Sequence, residues 1–106
     1  MAKYIQIITT VNKKEDAEKI AKILIEKRLS GCVQIIGPIK STYWWEGKIE
    51  TAKEWLCFIK SKGNLYKEIE KSIKEVHPYK IPEIIAIPVV NGYKKYFKWL
   101  EVEIKK

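Results

Sequence analysis

The chain is short of the residues that build metal centres and catalytic sets. Its 106 residues include one His (His77), one Met (Met1), two Cys (Cys32 and Cys57), one Asp (Asp16) and one Arg (Arg28). One imidazole and two separated thiols cannot complete a four-ligand zinc site within a single chain. Asp16 falls in the first turn of a predicted helix, so no Ser-His-Asp set is available. The five glycines form neither a P-loop nor a dinucleotide fingerprint. An enzyme is therefore not expected. No apolar run approaches the roughly 20 residues that cross a bilayer, so no membrane partner is expected. No leader is visible after Met1, and the cysteines lack a short-spaced pairing, which suits free thiols in a reducing, cytoplasmic setting.

Arginine is also scarce: the other 20 of the 21 basic residues are Lys, and 12 of the 13 acidic residues are Glu. Nucleic-acid readers lean on the guanidinium fork. The net charge of +8 thus reads as a solvated, thermophile-like Lys/Glu exterior, with no nucleic acid as partner. The aromatic stacking signature of RNA-binding sheets is missing as well, since Trp55 and Phe58 point to opposite faces of one strand.

What is present is apolar: 46 % of residues are hydrophobic, enough for the core of one domain spanning residues 1–106. Residues 4–10 (YIQIITT) read as a strand. Asn12 with Glu15 three positions on resembles a capping box, and Ala17, Ile20, Ala21 and Leu24 continue a helix to about Lys27. Residues 32–36 are strand-like, and Gly37-Pro38 interrupts them as a bulge would. Residues 39–45 and 48–60 flank Glu46-Gly47 as a hairpin. Gly63-Asn64 breaks the chain before a second helix whose face is Leu65, Ile69, Ser72, Ile73 and Val76, stopped by Pro78. Residues 83–90 form a last strand, Asn91-Gly92 a turn, and Tyr93, Tyr96, Phe97, Leu100 and Ile104 a last helix. The order β-α-β-β-α-β plus a C-terminal helix predicts an α+β, ferredoxin-like sandwich with a long central hairpin.

One face of such a sheet has no helix layer, so a monomer should alternate apolar and polar residues along each strand. This chain has Ile7-Ile8, Ile35-Ile36, Trp44-Trp45 and residues 84–87 as consecutive apolar residues. Both faces ask for burial, which predicts a homo-oligomer. If Glu46-Gly47 is the loop, the register places Cys57 opposite Ile36 and Cys32 opposite Ser61. The thiols are then about 13 Å apart along the strand, too far for a disulfide. His77 ends the second helix, where its partial charge suits the dipole.

Several segments carry a family resemblance. Ser41, Tyr43, Trp45, Gly47 and Ile49 are spaced as in the S-x-Y-x-W-x-G-x-I hairpin of the CutA divalent-cation tolerance family. His77-Pro78-Tyr79 followed by Pro82-Glu83-Ile84 is similar to its HPY-x-x-PE-I/L segment. Leu29 with Cys32-Val33, the positions of Glu54 and Lys60, and Tyr96 with Trp99-Leu100 resemble further family elements. The resemblance implies a cytoplasmic homotrimer related to the PII signalling proteins, with a link to divalent metals, copper above all. Thr9 and Val76 stand where bacterial members carry a copper-ligating Cys and the first of two His; only His77 keeps its place. The expectation is a non-catalytic metal-tolerance trimer that takes copper or another divalent cation near His77, at a cleft between subunits. Cys32, Tyr43, Trp45, Glu54, Lys60, Tyr79 and Glu83 are the candidate lining of its cleft. The alternative is a PII-like signalling or small-ligand module without a physiological metal.

Overall fold

The structure, a computed structural model, describes residues 2–105. Strand β1 (Tyr4–Val11) lies inside the sheet, antiparallel to both β3 (Lys48–Lys62) and β4 (Ile84–Pro88). With β2 (Cys32–Trp45) on the far side of β3, the strand order is β2-β3-β1-β4, the ferredoxin-like arrangement. Helices α1 (Lys14–Glu26) and α2 (Tyr66–Val76) form the layer over one face, and α3 (Lys94–Glu103) follows β4.

The core follows from period-2 and period-3.6 patterns meeting face to face. Ile5, Ile7, Thr9 and Val11 of β1 point into it, beside Cys57 and Ile59 of β3. Ala17, Ile20 and Leu24 of α1 and Ile69 and Ile73 of α2 close over them. Each of these buried Ile and Leu side chains contributes about 1.5–3 kcal/mol relative to exposure.

Several boundaries differ from the sequence expectation. Strand β1 runs on through buried Val11, one residue further than expected. The helix start moves with it: α1 is capped at Lys13, and no Asn12–Glu15 capping box forms. Helix α1 ends in a Schellman motif, with Leu29 N–H on the Leu24 carbonyl and Arg28 in the left-handed region at φ 55°. The Arg28 guanidinium donates to the carbonyl and carboxylate of Glu103 at the end of α3. The only arginine is thus a clamp between two helix ends. Gly63 and Asn64 open a 3-10 turn (Gly63–Leu65) that leads directly into α2. Strand β4 is shorter than expected because β1 offers it partners only from Ile5 to Thr9. Asn91-Gly92 lies in the connection to α3.

Beyond the Val11–Trp55 pair, β2 and β3 continue alone as a two-stranded arm to the Trp45–Lys48 pair. Positive φ at Glu46 and Gly47 makes the tight turn at its tip. The Gly37-Pro38 interruption is a true bulge: between Ile36 and Ile39, β2 carries one residue more than β3. The register therefore shifts by one below it. Cys57 lies opposite Ile35 and Cys32 opposite Lys60, each one place from the expected partner, and both thiols are free.

The sheet face away from α1 and α2 is only partly covered. At one end the Phe97 ring of α3 stacks on Tyr4 at 4.2 Å, and the Tyr4 hydroxyl donates to Glu101 at 2.7 Å. Elsewhere Ile36, Ile85 and Ile87 remain exposed at 50 %, 46 % and 44 %. The two-faced strands read from the sequence are two-faced in the fold.

Two substitutions test this packing by chemical denaturation. A Cβ at Gly37 would lie 2.2 Å from Trp55 Cδ1, so Gly37→Ala should cost about 1–3 kcal/mol through overpacking. The Thr9 hydroxyl is fully buried without a hydrogen-bond partner. Thr9→Val should leave the denaturation midpoint unchanged or raise it, because an unsatisfied group is removed.

Candidate functional site: a cleft beneath the hairpin arm

The segment after α2 is held down by its own side chains. His77 caps α2, its N–H bonded to the Ile73 carbonyl at 2.8 Å. Its Nδ1 accepts the Tyr79 N–H at 3.1 Å, so in the neutral ring Nε2 carries the proton and donates to the Thr10 carbonyl at 2.9 Å. The Tyr79 ring meets His77 edge-on, with centroids 4.8 Å apart. The Tyr79 hydroxyl then donates to Glu54 Oε2 at 2.6 Å. An unbroken chain of contacts runs from β1 through the loop to β3.

Burial pushes the His77 imidazole below its ordinary range, against the Thr10 hydrogen bond and the nearby Asp16 and Glu54 carboxylates, which favour the charged form. Burial also pushes the Tyr79 phenol up, and Glu54 adds to that shift. Tyr79 is therefore a hydrogen-bond donor throughout the physiological range.

Between this loop and the arm lies a cleft of about 660 Å³. Tyr43, Trp45 and Glu50 line it from the arm, and Tyr79, Lys80 and Glu83 from the loop. Glu54 and Thr10, each 6 % exposed, are its most buried lining. The bulge in β2 explains why these arm residues share a side. After it, Tyr43 pairs with Glu50 and Trp45 with Lys48, so they project on the Glu54 side of the hairpin. Trp44 projects the other way and is 71 % exposed.

Five of the candidate lining residues thus meet: Tyr43, Trp45, Glu54, Tyr79 and Glu83. His77 stands behind them, joined through Tyr79. Within one chain Cys32 and Lys60 lie apart from these five. They face each other near the opposite end of the sheet, where Lys60 Nζ bonds to the Gln34 side chain. Cys57 is sealed in the core, its thiol pushed up to about 11 by burial. It is protonated at neutral pH and poorly suited to nucleophilic or metal chemistry. Among the described residues, no three His, Cys, Asp or Glu side chains are grouped to hold a metal ion. Glu50 is the clearest lining residue absent from the candidate set. Its signal lay in the hairpin register, which sets it opposite Tyr43 on the Trp45 side.

A ferredoxin-like sheet with an extended arm over an aromatic and acidic cleft defines the chain as an α+β domain of ferredoxin-like class. The CutA1 divalent ion tolerance protein family matches residues 5–103, and the chain belongs to that family. It is 42 % identical over 100 residues to the divalent-cation tolerance protein CutA of Pyrococcus horikoshii, covering 94 % of this chain and 97 % of that one. It is 41 % identical over 99 residues to the CutA protein of Archaeoglobus fulgidus, covering 93 % and 96 %. The crystal structure of CutA1 from Oryza sativa superposes with a TM-score of 0.95 at 36 % identity, covering 99 % of this chain and 96 % of that one. The names of relatives include a chloroplastic and a periplasmic protein.

The His77 geometry has a consequence for acid stability. Its folded pKa lies below the ordinary 6.5, so on acidification the unfolded chain takes up the proton first. This contribution is complete above pH 6.5 and is lost as pH falls below it. Guanidinium midpoints of the wild type should fall between pH 7 and pH 5, and more steeply than those of His77→Gln. Equal slopes would show that the ring is not held neutral.

Proposed function

We propose that this chain serves divalent-cation tolerance as a homotrimeric, non-catalytic binding module whose ligand seats in the cleft beneath the arm. The observation that carries this reading is Glu54. The residue is 6 % exposed, and its carboxylate accepts the Tyr79 hydroxyl and makes no salt bridge among the described residues. A buried carboxylate without a cation is costly. A cleft that keeps one open to a ligand has a use for it.

The trimer is supported by the exposed apolar face and by the arm, whose Trp44 and Ile49 form an exposed cross-strand pair. Faces of this kind are buried in assemblies. The two free thiols suit a reducing compartment, and the cytoplasm is the location we assign. Size-exclusion chromatography with light scattering should return three times the chain mass of 12.5 kDa. Any other mass overturns the trimer.

Copper fits the donor set of the single chain poorly. His77 is the only imidazole, and both of its nitrogens are engaged within the protein. A copper ion there would have to displace the Tyr79 N–H or the Thr10 carbonyl, and among the described residues no three His, Cys, Asp or Glu side chains are grouped to hold it. Calorimetric copper titration should therefore give the same heats for the wild type and His77→Ala. A tight site that vanishes in His77→Ala would move the ligand site from the cleft to the ring.

A further inference from the structure

The connection from β4 to α3 is fixed at both ends. Before it, the Val89 N–H donates to the Tyr4 carbonyl at 3.0 Å. After it, the Tyr96 and Phe97 N–H groups of α3 donate to the Tyr93 carbonyl at 3.0 and 3.1 Å. Asn91 and Gly92 lie between these ties, and both are exposed. The Asn91 side chain folds back on the chain, its Oδ1 accepting the Gly92 N–H at 3.0 Å. Gly92 does not serve a left-handed backbone, which among the described glycines only Gly47 adopts. Space holds it: a Cβ there would lie 2.4 Å from Cζ of Phe97, the ring that stacks on Tyr4. The packing of α3 on the sheet therefore requires glycine after Asn91. Glycine is also the residue whose peptide nitrogen no side chain shields.

We propose that Asn91 is a site of self-modification, at which the Gly92 peptide nitrogen converts the side-chain amide to a carboxylate through a cyclic imide. The Gly92 nitrogen loses its proton to solvent hydroxide and bonds to Asn91 Cγ. The bond from Cγ to Nδ2 breaks, and the amide group leaves as ammonia. Water then opens the imide. Attack at Cγ gives Asp; attack at the backbone carbonyl carbon gives isoaspartate, in which the main chain runs through Cβ and Cγ. Water is consumed and ammonia released, with no oxidant or reductant. The Oδ1 contact brings nucleophile and electrophile together before reaction, and the exposed segment admits the water. Asn12 and Asn64, the other asparagines, are followed by Lys13 and Leu65, whose Cβ atoms crowd the attacking nitrogen. Asn64 is further held in a 3-10 turn. The two products differ in consequence. Asp places a carboxylate ahead of α3, whose first turn carries Lys94 and Lys95 and no acid, and so suits the helix dipole. Isoaspartate inserts a main-chain carbon between fixed ends and drives Gly92 against Phe97, loosening the seat of α3 on Tyr4. The reaction is independent of the cleft and of its ligand.

The test ages the full chain in its solution assembly at pH 6 and pH 8 and follows each asparagine by peptide mass mapping. Conversion at Asn91 is expected, faster at pH 8 because the deprotonated nitrogen is the nucleophile, with Asn12 and Asn64 left unconverted. Digestion with endoproteinase Asp-N, which cleaves at Asp and spares isoaspartate, separates the two products. Guanidinium midpoints are then compared for fresh protein, aged protein, Asn91→Asp and Asn91→Gln. The isoaspartate fraction should unfold at lower denaturant than fresh protein. Asn91→Asp should match or exceed fresh protein, and Asn91→Gln should neither convert nor lose stability on ageing. Asn91 left intact in the folded protein, or converting no faster than Asn12 and Asn64, would remove the site. Conversion without a drop in the isoaspartate midpoint, or an equal drop in Asn91→Asp, would refute the coupling to α3.

Discussion

One extra residue in β2 decides where the site can be. Below the bulge, Val33 and Ile35 lie opposite Ile59 and Cys57 and share the helix-covered face. Above it, the parity reverses, and Ser41, Tyr43 and Trp45 come to the side of Glu54. A strand without the insertion would turn these aromatics to the other side of the arm, because a one-residue slip exchanges the faces. The close approach of Gly37 to the Trp55 indole anchors the bulge to β3. A packing detail of the sheet thus sets the composition of a cleft that begins beyond it.

The second requirement is that the loop stay where the arm can face it. It is tied at both ends of a short path: His77 to the carbonyl of Thr10 on β1, and Tyr79 to the carboxylate of Glu54 on β3. The middle link, Tyr79 N–H on His77 Nδ1, works only while the ring is neutral at that nitrogen. Burial keeps it neutral by opposing the charged form. The imidazole is accounted for as a structural brace, joining the helix end to the loop with both nitrogens.

Much of this was legible from local pattern. β-branched runs, helical spacing and the Gly-containing turn identify the elements, and the adjacent apolar pairs by themselves mark two faces that need burial. The Glu46-Gly47 turn correctly registers the arm from Trp45–Lys48 to Ile39–Glu54. Beyond Gly37-Pro38 that register fails, because sequence marks a bulge without saying how many residues it absorbs. The helix cap at Lys13 was hidden for a similar reason: Val11 is claimed by the core, and tertiary burial outweighs a side-chain cap. Arg28 and Glu103 are 75 positions apart, so no local pattern could join them. Cys32 stands apart from the cleft of its own chain. It lies in the same strand as Tyr43 but 11 residues away, about 36 Å in an extended chain, and it belongs to a different part of the molecule.

The lysine-rich exterior and the acidic cleft bear on each other. Around a chain of net charge +8, the mean field repels cations, so long-range steering does not fill the cleft with them. A ligand must then be retained by contacts made after entry. A divalent ion entering it would lose tightly held water, and among the described residues no three His, Cys, Asp or Glu side chains are grouped to replace that water. Apolar and aromatic contact is indifferent to the sign of that field, and Tyr43 and Trp45 offer it on the wall of the cleft. Under a repulsive field, the apolar and cation–π terms become the discriminating ones. The aromatic residues of the arm therefore contribute to selectivity as well as to shape.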